Sequence, residues 1–320
     1  MNPYAAFIND AGRLRSGWRV GVFVFLYIVC WFTFSFGVRM FAFAVHSIPF
    51  FSRPLVADLI FRLTLIASAL TAGWLCNRLL ERLPWRALGL GFHQRWWWDL
   101  LLGSFIGILT LVIAAGIAFA GGGLRFSFSG SSLLPLTLRT LLATAVLFVF
   151  AALGEEALFR GYPLQTLTRA HLVWLAILIT SLLFGAAHLG NPNVVAGITF
   201  TNTALAGVWL TVAYLRTRSL WFPLGVHWSW NWALGSVFGL PVSGLKLSSN
   251  PLMVAVDRGP AWLTGGDYGI EGGIACTVAL IISTLFIWRT RLVSATPELL
   301  KMTSSENAVV RSAAVKQEIP

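Results

Sequence analysis

Charge is what this chain has least of. Of its 320 residues only 11% are Asp, Glu, Lys or Arg, while 57% are hydrophobic. A soluble domain carries about 25% charged residues. A chain of this length and this poverty of charge cannot cover its own surface with polar groups, so lipid is the solvent for most of it. Alternation of apolar and polar residues is also missing. The apolar runs are continuous, which excludes a membrane β-barrel and leaves helices. Cysteine is scarce: Cys30, Cys76 and Cys276 lie far apart in apolar segments and no CxxC occurs. That excludes a disulfide framework or a thiolate zinc site and reads as small buried hydrophobes. There is no internal repeat, so the inverted-repeat pattern of transporters has no support. The net charge of +11 comes from Lys and Arg in short loops and at segment ends. That is a topology signal, and no nucleic-acid partner is expected.

What is present is a series of apolar stretches, each near the roughly 20 residues a spanning helix needs. Eight are expected as helices, over 18–45, 55–77, 99–120, 134–160, 172–188, 194–215, 219–239 and 272–288. The fold class is therefore all-α, a polytopic membrane protein of about eight transmembrane helices. Arg13, Arg15 and Arg19 precede the first stretch, which is far longer than a signal-peptide core and reads as a spanning helix. In the second, Asp58 and Arg62 belong at the interface. Gly190-Asn191-Pro192-Asn193 is a strong helix breaker after the fifth. Trp96, Trp97 and Trp98 form an aromatic belt before the third. Arginines concentrate on the side of the N-terminus, at Arg13, Arg15, Arg19, Arg78, Arg82, Arg86, Arg95, Arg160, Arg169, Arg216, Arg218, Arg289 and Arg291. This bias puts both termini in the cytoplasm, in a plasma or cytoplasmic membrane. Four regions follow: helices one to three over 1–134, a core over 135–240, an outer Gly-rich loop and last helix over 241–288, and a polar, disordered cytoplasmic tail over 289–320.

Ionisable residues inside spans are costly and functional by default. Among the acidic residues, Asp10, Glu81 and those of the tail are expected in water, and Asp257, Asp267 and Glu271 in the outer loop. Asp58 and Asp99 begin helices, where a carboxylate suits the helix dipole. Only Glu155 and Glu156 lie within a long apolar context. Among histidines, His188 ends the fifth stretch and His227 lies inside the seventh, four residues before Asn231. At about 1.5 Å per residue these groups reach similar depths, within one bilayer half-thickness of each other. Residues four apart share a helix face, so His227 and Asn231 point together, and Glu156 can pair with Arg160. That pair reads as structural, because it offsets the cost of a buried arginine. Glu155 is rotated away and left free for other work.

These residues form three motifs in order: Glu155-Glu156-Ala-Leu-Phe-Arg160 as EExxxR, Phe184-Gly-Ala-Ala-His188 as FxxxH, and His227-Trp-Ser-Trp-Asn231 as HxxxN. In them the chain resembles the CAAX protease and bacteriocin-processing family, also called ABI or CPBP proteins, over roughly 135–240. The resemblance implies an eight-helix intramembrane endopeptidase. It implies that Glu155 and His188 activate a water molecule and that His227 and Asn231 stabilise the oxyanion, with Glu156 and Arg160 supporting them. The residue chemistry agrees. Amide hydrolysis needs a base at the attacking water and donors at the developing oxyanion. No thiol is expected near the cluster, and Ser229, two residues from His227, points to another side of its helix.

No cofactor is expected. Glu155, His188 and His227 could make an open zinc site of the two-histidine, one-glutamate type. HExxH, the helix-borne zinc signature, is absent, and a metal-free site is the favoured reading. The expected partners are the bilayer and a membrane-associated or lipidated peptide. The rival readings are a non-enzymatic scaffold or bacteriocin-immunity protein, and a proton-coupled transporter, since pumps also use buried Glu and His.

Overall fold

The computed structural model describes residues 6–9, 12–45, 48, 53–130, 134–195 and 197–304. Each of the eight expected stretches is helical. They are α1 (Ser16–Ala44), α2 (Pro54–Cys76), α3 (Trp96–Ala120), α4 (Leu134–Glu156), α6 (Val173–Ala187), α7 (Ile198–Thr217), α8 (Trp221–Trp232) and α10 (Ile274–Arg289). Shorter helices are α5 (Tyr162–Arg169), α9 (Ala261–Thr264) and α11 (Pro297–Thr303). Among the described residues, five stretches are long and apolar enough to cross a membrane: Ser16–Ala44, Pro54–Glu81, Trp96–Ala120, Leu134–Arg169 and Ile198–Thr217. Val173–Ala187 and Ile274–Arg289 are apolar but shorter. The chain is thus a polytopic, mostly helical membrane protein. Phe25, Phe32, Phe36, Leu142 and Trp174 point outward, as lipid-facing side chains do.

Small residues decide the packing. Lipid gives helices no hydrophobic reason to associate, so close backbone approach and van der Waals contact must supply it. Gly103 and Gly107 form a GxxxG stripe on α3, and Gly225 answers it from α8. A Cβ on Gly103 would lie 2.3 Å from the Phe222 carbonyl oxygen, and one on Gly225 would lie 2.3 Å from that of Leu100. The two backbones therefore touch. Helix α8 becomes the axis of the molecule, packed by α3, α4 and α7, with α10 closing on α3 and α7. Its buried face joins Phe222, Val226 and Trp230 to Trp209, Phe148 and Phe184 in the main core. Helix α1 lies outside, against α2 and α5.

Among the described residues three helices end in wide π turns: Asn77–Glu81 after α2, Ala157–Gly161 after α4 and Ala233–Val237 after α8. The second explains why Gly161 and Pro163 do not break the fourth stretch. Pro163 has no N–H to give, and the widened turn and the start of α5 are where a missing donor costs least. The helical path continues to Arg169, and His171, at φ 64°, turns the chain into α6.

Three expectations need correction. The fold is not purely helical: β1 (Leu124–Phe128) pairs antiparallel with β2 (Met253–Asp257), tying the α3–α4 loop to the outer loop. The tail is not unstructured where it is described, since Thr296 caps α11 through the Leu299 N–H and Val293 and Leu299 are buried. Residues 305–320, the rest of that expectation, lie outside the described residues, as does Asp10. Glu81 is not in water. It is 2% exposed, because Arg169 (Nε to Oε2, 2.7 Å) and Arg19 (Nη1 to Oε1, 3.7 Å) converge on it from α5 and α1. Thr166 also donates its hydroxyl to Glu81 Oε1 at 2.5 Å. Glu271 stands in the outer loop as expected, and from there it reaches the site described next.

Candidate active site

The last turn of α4 presents adjacent carboxylates to different surroundings. Glu156 is fully buried. Its Oε1 accepts from Arg160 Nη1 at 3.3 Å and lies 2.8 Å from His227 Nδ1. Arg160, also fully buried, donates from Nη2 to the Gly207 carbonyl at 3.2 Å, and its guanidinium sits 4.4 Å from the centre of the Phe184 ring. The expected Glu156–Arg160 pair therefore exists and does more than neutralise charge. It ties α4 to α6 and α7 and gives His227 an acceptor.

Glu155 is different. Its side chain is 34% exposed, yet Oε2 is shielded and has no hydrogen-bond partner. That oxygen lies 3.9 Å from His188 Nε2 and 3.8 Å from His227 Nε2. Both imidazoles are oriented from behind. His188, the residue that ends α6, has Nδ1 2.8 Å from the Phe184 carbonyl, which only accepts, so Nδ1 carries the proton. His227 likewise gives its Nδ1 proton to the Glu156 carboxylate. In the neutral rings both Nε2 atoms then turn lone pairs toward Glu155. The separations are too long for direct hydrogen bonds.

Asn231 stands one turn beyond His227 on α8, half-buried, with no hydrogen-bond partner among the described residues. It lines a small cavity of ≈ 40 Å³ together with His188, His227, Trp230, Asn202 and Glu271. Glu155 borders this cavity through the two imidazoles and does not line it. Ser229 points away, donating to the Ser104 carbonyl on α3 at 2.9 Å, as its spacing predicts.

Two residues of this cavity were not expected. Cys276 lines it, contrary to the expectation that no thiol lies near. Helix α10 packs on α7 and brings the thiol in, a contact across a distance in sequence that spacing cannot foretell. The side chain is 2% exposed, makes no hydrogen bond among the described residues and packs in the main hydrophobic core, as a small apolar group does. Glu271 is the other. A signal for it existed in the Trp230 indole N–H, a donor in an apolar helix that must find an acceptor.

Glu155, His188 and His227 carry donor atoms suited to zinc. Among the described residues, however, no group of three or more His, Cys, Asp or Glu side chains is close enough to hold a metal ion. The metalloprotease reading therefore has no support among the described residues.

Residues 137–233 match a family model described as Type II CAAX prenyl endopeptidase Rce1-like. The match contains Glu155, Glu156, Arg160, His188, His227 and Asn231, and it bears out the resemblance carried by the three motifs. An Escherichia coli protein described as "Uncharacterized 24.3 kDa protein" is 37% identical over 101 residues, which is 31% of this chain and 45% of that relative. The chain thus matches less than half of the relative's length. No solved structure matches the chain.

Proposed function

We propose that this protein is an intramembrane endopeptidase in which Glu155 activates a water molecule to cleave a peptide bond of a membrane-associated substrate. The observation that carries the reading is the unpartnered Glu155 oxygen facing two imidazole Nε2 atoms whose Nδ1 protons are already committed. This is the arrangement a general base needs, with an acceptor for the water's proton and fixed neighbours to orient it.

The water sits between Glu155 Oε2 and His188 Nε2 and passes its proton to Glu155. Its oxygen bonds to the carbonyl carbon, and the carbonyl electrons move onto oxygen. Asn231 donates its amide N–H to that oxyanion, and His227, when doubly protonated, donates from Nε2 while Nδ1 stays on Glu156. The C–N bond then breaks, and the proton held by Glu155 goes to the leaving amine nitrogen. Glu156 and Arg160 touch no reacting atom and hold His227 in place. No step uses a metal, a thiol or Ser229.

The family description supports a membrane-associated protein substrate, and the reading proposed is a C-terminal peptide of a prenylated protein or another lipidated or membrane-held peptide. The distribution of arginines supports both termini on the cytoplasmic side. The test is mass spectrometry of lipidated and unlipidated peptide libraries incubated with the purified protein in detergent. Discrete cleavage that survives a chelator supports the proposal. Cleavage abolished by chelator and restored by zinc contradicts its metal-free chemistry.

A further inference from the structure

Glu271 ends the outer loop just before α10, outside the matched segment 137–233. Its carboxylate is fully engaged. Oε1 accepts from Trp230 Nε1 at 2.9 Å, and Oε2 accepts from the Ser243 N–H at 2.5 Å and the Ser243 hydroxyl at 3.2 Å. The Glu271 backbone is held as well, because Asn202 Nδ2 donates to the carbonyls of Glu271 and Gly273, each at 2.9 Å. Ser243 is in turn tied to the α6–α7 connection, its carbonyl accepting from Asn191 Nδ2 at 3.0 Å. Asn191 lies three residues after His188, and Trp230 immediately precedes Asn231. One carboxylate thus links, within one cavity, the segments that carry His188, His227 and Asn231.

We propose that Glu271 is a positioning residue of the active site, holding α8 and the outer loop in register through Trp230 and Ser243 so that Asn231 and His227 meet the oxyanion. The inference rests on the peptidase reading for its catalytic consequence and on geometry alone for the link. Glu271 touches no reacting group. Its effect passes through the Trp230 indole, whose ring is otherwise fixed edge-on to Trp209 at 5.7 Å. Trp230→Phe keeps that packing and removes the donor. Glu271→Gln keeps the shape, but one of its two ends then meets an N–H with an NH₂. Both variants cut the same link, so their effects should not multiply.

The experiment uses the full chain in detergent, as wild type, Glu271→Gln, Trp230→Phe and the double variant. Hydrogen exchange is followed in 241–252 and in α8, and kcat and KM are measured on a peptide the wild type cleaves. The expected result is faster exchange in both segments, with kcat lower by about 10- to 100-fold for each single variant, as a misplacement of about 1 Å produces. KM stays nearly constant, and the double variant is no worse than the poorer single. A fall in melting temperature with kcat intact, or losses that multiply, overturns the proposal. If the wild type cleaves no peptide, the peptidase reading fails by itself and exchange judges the link: unchanged exchange in Glu271→Gln overturns it, and faster exchange in both segments upholds it.

Discussion

At the scale of single residues, neighbouring carboxylates hold opposite positions. Glu156 is sealed, its Oε1 held by Arg160 and His227 and its Oε2 buried, whereas Glu155 is one-third exposed with its Oε2 facing two imidazoles. Breaking the sealed pair leaves an uncompensated buried charge. Arg160→Met is therefore expected to cost about 3–5 kcal/mol of stability, read as a large fall in thermal midpoint in detergent. Ser229→Ala is expected to keep activity within about threefold, since the hydroxyl bonds α3 and no step uses it; a large loss of kcat in a folded variant would reopen nucleophilic serine chemistry. The site was legible because Glu155, Glu156, His188 and His227 are ionisable residues in apolar runs at helical spacing. Glu81 and Glu271 were not legible. Each stands at the edge of an apolar run, where solvation and burial look alike, and its partners lie far off in sequence, Arg169 for one and Trp230 for the other.

At the scale of elements, the α3–α8 contact sets where His227 and Asn231 stand. Gly107→Val would drive a side chain into Ser229 Oγ and the Val226 carbonyl, each only 2.3 Å from the position of its Cβ. Overpacking of this kind costs about 1–3 kcal/mol. It should lower both thermal stability and activity, while Gly116→Val on the open side of α3 should lower neither, since a Cβ there meets nothing. The GxxxG spacing was in plain view, but its partner was not, because helices in lipid pair by shape and spacing names only one side. A second contact lies outside the spans. His93 Nε2 is 3.1 Å from Ser219 Oγ and 3.4 Å from Asp99, and Nδ1 accepts the Arg95 N–H at 3.3 Å. Burial pushes the His93 pKa below its ordinary value; Glu298 opposes this and the Arg95 charge adds to it. The unfolded chain therefore takes up a proton that the folded chain resists. Stability from His93 is present above about pH 6.5 and is lost as pH falls. Thermal midpoints should drop below that pH in the wild type and less so in His93→Gln.

At the scale of the whole molecule, the succession of apolar helices could be read from hydropathy to within several residues, closely for 99–120 against Trp96–Ala120 and loosely for 219–239 against Trp221–Trp232. Continuity of apolar character is a local property, and lipid enforces it. Three-dimensional assembly is not local. Nothing in the residues of α8 says that it is the axis, and nothing in the Gly-rich stretch 241–271 says that it contributes a strand to pair with Leu124–Phe128 and a carboxylate to the cavity. The motifs supplied the residues of the site, and the packing of small residues supplied their meeting point. The central claim concerns one oxygen atom of Glu155. The most direct test is the rate of cleavage by Glu155→Gln beside wild type, on one peptide the wild type cleaves, with thermal midpoints taken on the same preparations. Loss of a general base predicts a fall in kcat of at least about 100-fold, with the midpoint unchanged. Retained cleavage by a folded Glu155→Gln would contradict the account.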